Sequence, residues 1–339
     1  MRNPVLIELT RGPLVESRHA GALAVVWADG SVLAAAGDIE VPIFPRSAVK
    51  PLQAIPFVES GAVDHFGFGA AEIALSCGSH SGTPAHAALA GEMLQRAGLA
   101  PSALACGVQE PLDLGSAREL IRSGAMPTAL NHNCSGKHAG MLATAVHASE
   151  PVEGYWRPDH PVQLRIAGLL QDLTGCHLGA EVCGIDGCSV PNWAMPLSGL
   201  AHAFARLATG EALARSRALA CRRIVEACMM RPDLVAGPGR LDTAVMSRLP
   251  RKVLIKTGAE GAYCGALPEH GLGFAIKIDD GAKRAAEAVV VALLSRFYAE
   301  VRDAGPPEVL LNWRELEVGR VRSTRPLQDT LSALPARTG

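Results

Sequence analysis

The sequence predicts an α+β fold in which strands from both chain ends form one antiparallel sheet, with a helical region inserted between them. Three observations predict it. Strand-like apolar runs fill the first 36 residues and return between Lys252 and Ile278. The stretch between them carries helical periodicity. No regular strand–helix alternation, the mark of a parallel sheet, is present. At 339 residues the chain can bury a substantial core. We expect a single catalytic unit over 1–305, its helical part at about 47–250, and a strand and tail over 306–339.

Taken in order, Val5, Ile7 and Leu9 share one face of a first strand, and Ala20 to Trp27 is a stronger apolar run. Asp29-Gly30 is a hairpin signal before Ser31 to Ala36. Pro42 and Pro45 break the chain, and a helix can begin near Ser47. Helical periodicity follows over Ala70 to Leu75, and over Pro84 to Ala97, which Gly98 closes. Further helices are predicted over Lys137 to His147, Pro161 to Leu173, Leu200 to Ala208 and Glu211 to Met229. Pro191-Asn192-Trp193 and Ala236-Gly237-Pro238-Gly239 read as loops. Strands return at Lys252 to Thr257, Ala262 to Ala266 and Gly273 to Ile278, before a long helix over Ala282 to Val301. After Gly305 we expect a short strand and a poorly specified polar tail.

Bulk properties narrow the function. A net charge of -1 argues against a nucleic-acid or membrane-surface partner, which would call for a basic patch. No apolar run approaches the ~18 residues of a membrane span. Glu8 interrupts the N-terminal apolar stretch, unlike a signal peptide, so a cytoplasmic protein is expected. Nine irregularly spaced cysteines in so long a chain suit thiols, metal ligands or small buried residues better than a disulfide framework.

The chain holds six lysines against twenty-six arginines. Arginine stays charged in proteins, whereas a buried lysine can lose its proton, so a retained lysine can mark a need for a neutral amine. Three lie in recognisable settings. In Ser47-Ala48-Val49-Lys50 the serine and lysine share a helix face, and a desolvated lysine can take the serine's proton. A capping serine beside a solvated lysine is the competing reading. Lys256-Thr257-Gly258 ends a strand and can set an amine beside a carbonyl substrate; a solvated strand end is its competitor. Cys134-Ser135-Gly136-Lys137-His138 and Cys183-Gly184-Ile185-Asp186-Gly187-Cys188 offer thiols for zinc. No close Cys-x-x-Cys pair is present, so unlinked cysteines in glycine turns compete equally.

Serine-x-x-lysine early and lysine-threonine-glycine late resemble two of the three marks of serine β-lactamases. The third, serine-aspartate-asparagine, is missing; Ser76-Cys77-Gly78-Ser79-His80-Ser81 stands there instead. All five motifs together, in this order, resemble the Rhizobium-etli-type (class 3) L-asparaginases over roughly residues 5 to 300. The resemblance implies a β-lactamase/glutaminase-like fold, a homodimer, and hydrolysis of L-asparagine to L-aspartate and ammonia. It implies two catalytic pairs, Ser47 with Lys50 and Ser79 with Lys256. It implies one zinc per subunit on Cys134, Lys137, Cys188 and water, supporting the site without activating the nucleophile. Substrate would be met by Arg46, His80, Asp186 and Gly258, with backbone N–H groups near Ser47 and around Gly258 holding the oxyanion. Asp242, in Gly239-Arg240-Leu241-Asp242, has no assigned role in that pocket. Alternatives are a glutaminase, another cytosolic serine hydrolase, or a zinc or amino-acid sensor without turnover. Neutral-lysine chemistry predicts activity that rises toward alkaline pH.

Overall fold

The structure, a computed structural model, describes residues 3–335. Ten strands are present among them: β1 (Val5–Arg11), β2 (Leu14–Trp27), β3 (Val32–Ala36), β4 (Cys183–Ile185), β5 (Pro191–Trp193), β6 (Leu254–Thr257), β7 (Ala262–Leu267), β8 (Leu272–Ile278), β9 (Val309–Leu311) and β10 (Glu317–Ser323). Eight of them form one sheet in the order β6-β7-β8-β2-β1-β10-β9, with β3 paired to β2. All of its pairings are antiparallel. This is the predicted arrangement: β2 from the N-terminal part pairs directly with β8 from the C-terminal part, Gly21 opposite Ile278 through Trp27 opposite Leu272.

Helices cover both faces. Leu197–Thr209 packs against β2, β7 and β8, burying Leu200, Phe204 and Leu207. Lys283–Leu294 packs against β8, β1, β7 and β10 and buries Val289, Val290 and Leu293. Removing this much aliphatic surface from water is the main term holding the layers together, at about 25 cal/mol per Å². No helix among the described residues is long and apolar enough to cross a membrane.

Several boundaries differ from expectation. The second strand begins at Leu14, six residues early, because its polar first half pairs with β1 while only its second half is doubly covered. The last predicted long helix ends at Leu294; the Ser295 hydroxyl donates back to the Val291 carbonyl, and the chain continues to a 3-10 helix over Ala299–Ala304. Residues 306–335 are not a loose tail. β10 pairs with β1, Thr324 donates to the Val5 carbonyl, and a helix over Arg325–Ser332 buries Leu327 and Leu331. The terminal boundary at 305 therefore cuts through the sheet. Within the inserted region, β4 and β5 form a small hairpin where Pro191-Asn192-Trp193 was expected to be loop.

Candidate active site

Four segments converge to build the site. The first is the turn Pro45-Arg46-Ser47, which enters a 3-10 helix over Arg46–Val49 and then a short α-helix over Lys50–Gln53. Arg46 has φ +52°, a conformation that costs a non-glycine residue about 1–3 kcal/mol. Its guanidinium holds it there through Nε and a second nitrogen, each 2.8 Å from Asp186 Oδ1. The turn leaves Ser47 half-buried, with a backbone N–H that has no acceptor among the described backbone groups.

The second segment is the loop after helix Ala70–Ser76. The Ser79 N–H donates to the Val235 carbonyl and the His80 N–H to the Asn133 carbonyl, fixing the loop between two others. The third begins at Cys134 and continues as helix Ser135–His147. A Cβ on Gly136 would lie 2.6 Å from the Leu75 carbonyl oxygen, so glycine there lets the two helices touch and brings Cys134 beside Ser79. The fourth is β6 and its end at Gly258. A Cβ on Gly258 would lie 2.6 Å from the Pro45 carbonyl oxygen, so β6 reaches the Ser47 turn only because that position lacks a side chain.

At the centre lies Lys50, buried with 1% exposure. Its Nζ donates to Gly78 O at 2.6 Å, to Ser79 Oγ at 2.8 Å and to Cys134 Sγ at 3.1 Å. The structure thus joins Lys50 to Ser79, whereas the sequence paired it with Ser47. A 3-10 turn followed by a helix sends the Lys50 side chain inward, toward a carbonyl and a hydroxyl from a distant loop. Lys256, fully buried, has its amine 2.7 Å from its neighbour's carbonyl, Thr257 O, and makes no bond to Ser79. Burial lowers its pKa to about 7, with Lys50 and Arg240 adding to the shift and Asp242 opposing it. A neutral amine at Lys256 is therefore available near neutrality.

Two predicted contacts are engaged within the protein, and Asp242 gains a role. His80 is fully buried; Nδ1 accepts from Gly82 N–H at 3.2 Å, so Nε2 carries the proton toward Ser135 Oγ at 2.9 Å. Burial holds its pKa well below the usual histidine range, and both nitrogens are occupied within the protein. It braces the floor and does not face substrate. The Gly258 N–H donates to Ala262 O at 2.8 Å and cannot also serve an oxyanion. Asp242 is buried beneath β6, where Oδ1 accepts the Thr257 N–H at 2.7 Å and Oδ2 the Tyr263 hydroxyl at 2.9 Å. It anchors the Lys256 strand from below.

The proposed metal ligands do meet. Lys137 Nζ donates to Cys188 Sγ at 3.0 Å, while the Cys134 thiol donates to Asn133 Oδ1 at 3.1 Å and accepts from Lys50 Nζ. The neighbouring Cys134 thiol drives Cys188 far below its ordinary pKa, against burial and with help from Lys137 and His138, while Cys188 and burial raise Cys134. Burial pulls Lys137 down, but the Cys188 and Cys134 charges outweigh it and hold the amine protonated. The two sulfurs are ordinary zinc donors, and the Lys137 amine becomes a third only once it has given up its proton. Among the described residues, no group of three or more His, Cys, Asp or Glu stands close enough together to hold a metal ion.

Two further residues escaped the sequence reading. His138, quoted in its motif but given no task, sits behind the sulfurs with Nδ1 2.5 Å from the Tyr155 hydroxyl. Arg240 reaches within 3.4 Å of the Ser79 carbonyl, and its Nε is a buried donor without a partner among the described residues. Its position, two residues before Asp242 in a glycine loop, was the only signal.

The fold is of the α+β class. More particularly, the chain belongs to the family described as L-asparaginase II, which matches residues 7–323. Distant likenesses exist among solved structures. Mglu in its glutamate form is 18% identical over 93% of this chain and 70% of that one, with a TM-score of 0.44. Mglu in its native form in the presence of 4.3 M NaCl is 18% identical over 81% of this chain, with a TM-score of 0.43; this chain spans 60% of its length. A β-lactamase from Mycobacterium bovis is 15% identical over 81% of this chain and 94% of that one, with a TM-score of 0.41. No curated protein matches the chain.

Proposed function

We propose that the protein hydrolyses L-asparagine to L-aspartate and ammonia, with Ser47 as nucleophile. One observation carries the choice of serine: Ser47 is half-buried at a strained turn with its N–H free among the described residues, whereas Ser79 is only 4% exposed and its hydroxyl is taken by Lys50. Ser47 Oγ attacks the side-chain amide carbon. Lys50 takes the Ser47 proton, and the Ser79 hydroxyl bonded to it passes protons on; the neutral amine of Lys256 serves the relay without a direct bond to Ser79. The Ser47 N–H donates to the oxyanion. The amide nitrogen leaves as ammonia after protonation, and water then cleaves the acyl-enzyme. The Arg46–Asp186 pair and the unpartnered Arg240 Nε supply the charges that would hold the substrate's ammonium and carboxylate. The Lys50–Ser79 bond supports a second reading, with Ser79 as nucleophile, and the serine variants below separate the two.

Zinc would be held by Cys134, Lys137 and Cys188, as a cation that fixes these segments beside the pocket. Loading must displace the Lys137 proton and any thiol proton, so affinity should fall as pH drops. Elemental analysis should find about one zinc per chain in the wild type and little in Cys188→Ser. Equal metal content in both would remove the site.

The function is tested by ammonia release from L-asparagine and L-glutamine between pH 6 and 10. Release from asparagine should rise through a midpoint near 7, since Lys256 is protonated below about 7 and neutral above it. One methylene discriminates by only ~1–3 kcal/mol, so some glutamine turnover is compatible. Faster release from glutamine would make the protein a glutaminase, and binding without release a sensor. We further propose a cytoplasmic homodimer, which size measurement in solution checks.

A further inference from the structure

A cleft of about 510 Å³ opens between helices Lys283–Leu294 and Arg325–Ser332, over β1 and β10. It shares no wall residue with the serine–lysine pocket. Its volume lies within the range of small-molecule sites. Its walls are of two kinds. Ile7, Val291, Ala292, Val321 and Leu331 give it an apolar side. Arg296 and Arg302 give it two guanidinium groups, neither with an acidic partner within 4 Å among the described residues. Arg322, on the same wall, is by contrast already paired with Glu8. Arg296 Nε is buried and makes no hydrogen bond to the described residues, a costly state for a charged donor. Glu308 is the one acidic side chain on the rim; it is exposed and bonded to neither arginine.

We propose that this cleft is a second ligand site, for a small carboxylate with an apolar chain. The carboxylate would take the free donors of Arg296 and Arg302, since a guanidinium fork matches two carboxylate oxygens. The chain would lie on the apolar wall, where burying it removes apolar surface from water. A bare inorganic anion would satisfy the arginines and leave that wall wet; an uncharged amphiphile would do the reverse.

Calorimetry on the full chain with octanoate, acetate, inorganic phosphate and octanol tests this. Octanoate should bind saturably at one site per chain, at least tenfold tighter than each of the other three. Arg302→Gln, at an exposed position that spares the fold, should weaken octanoate binding at least tenfold, and Arg296→Gln likewise. Ser47→Ala should leave it unchanged. Absence of saturable binding, equal affinity in Arg302→Gln, or loss in Ser47→Ala would overturn the site. Phosphate or octanol binding as tightly as octanoate would overturn its assigned chemistry.

Discussion

Ser47→Ala is expected to lower kcat for ammonia release by roughly 10⁴-fold or more, with the fold intact. Removing the atom that forms the covalent intermediate leaves only the binding and electrostatic contributions of the pocket. Alanine fits the turn, because Ser47 makes no side-chain hydrogen bond that the fold depends on among the described residues. The companion variant is Ser79→Ala. It loses the hydroxyl bonded to Lys50, so proton transfer slows while attack by Ser47 remains open. Intact-mass measurement after rapid quench reads the difference directly. An acyl adduct should form on the wild type, never on Ser47→Ala, and still on Ser79→Ala. An adduct on Ser47→Ala that disappears in Ser79→Ala would transfer the nucleophile to Ser79.

Lys50→Arg should be nearly as damaging, by about 10²–10⁴-fold, the range that a positioned general base contributes. The substitution keeps the charge and removes the ability to lose a proton. Its loss should therefore not be recovered at high pH. Lys50→Met, of similar length and without charge, separates chemistry from packing: it removes three donors, to Gly78, Ser79 and Cys134, and should lower the melting temperature as well. Activity in Lys50→Arg that climbs to wild-type levels at pH 10 would show that another group is the base.

These two variants test opposite ends of what the chain discloses. The Ser47-x-x-Lys50 spacing was legible because the two residues share one short helical start. The bond from Lys50 to Ser79 was not, since it spans twenty-nine positions and depends on how a later loop packs. His80 looked like a polar loop residue facing substrate. It is instead sealed between Gly82 and Ser135, a result of the Asn133 loop closing over it. Asp242 lay in a glycine loop and read as a pocket residue of no known role; only the crossing of β6 above it shows that it holds the Thr257 N–H. The last sheet strand, Glu317–Ser323, hid among charged residues, with Gly319 its one buried position. The following helix did carry a signal, in Leu327 and Leu331 at a spacing of four.

The sequence by itself determined the α+β class, the antiparallel joining of the chain's two ends, and the five motifs that supply serines, lysines and thiols. Those properties rest on local periodicity, turn residues and residue chemistry, which are written in consecutive positions. Tertiary structure alone decided which lysine meets which serine, which histidine is buried, that Gly258 has no N–H to spare, and that two arginines on a distant cleft have no acidic partner among the described residues. Each of these depends on distances between segments far apart in the chain, and packing fixes those distances where short-range spacing does not.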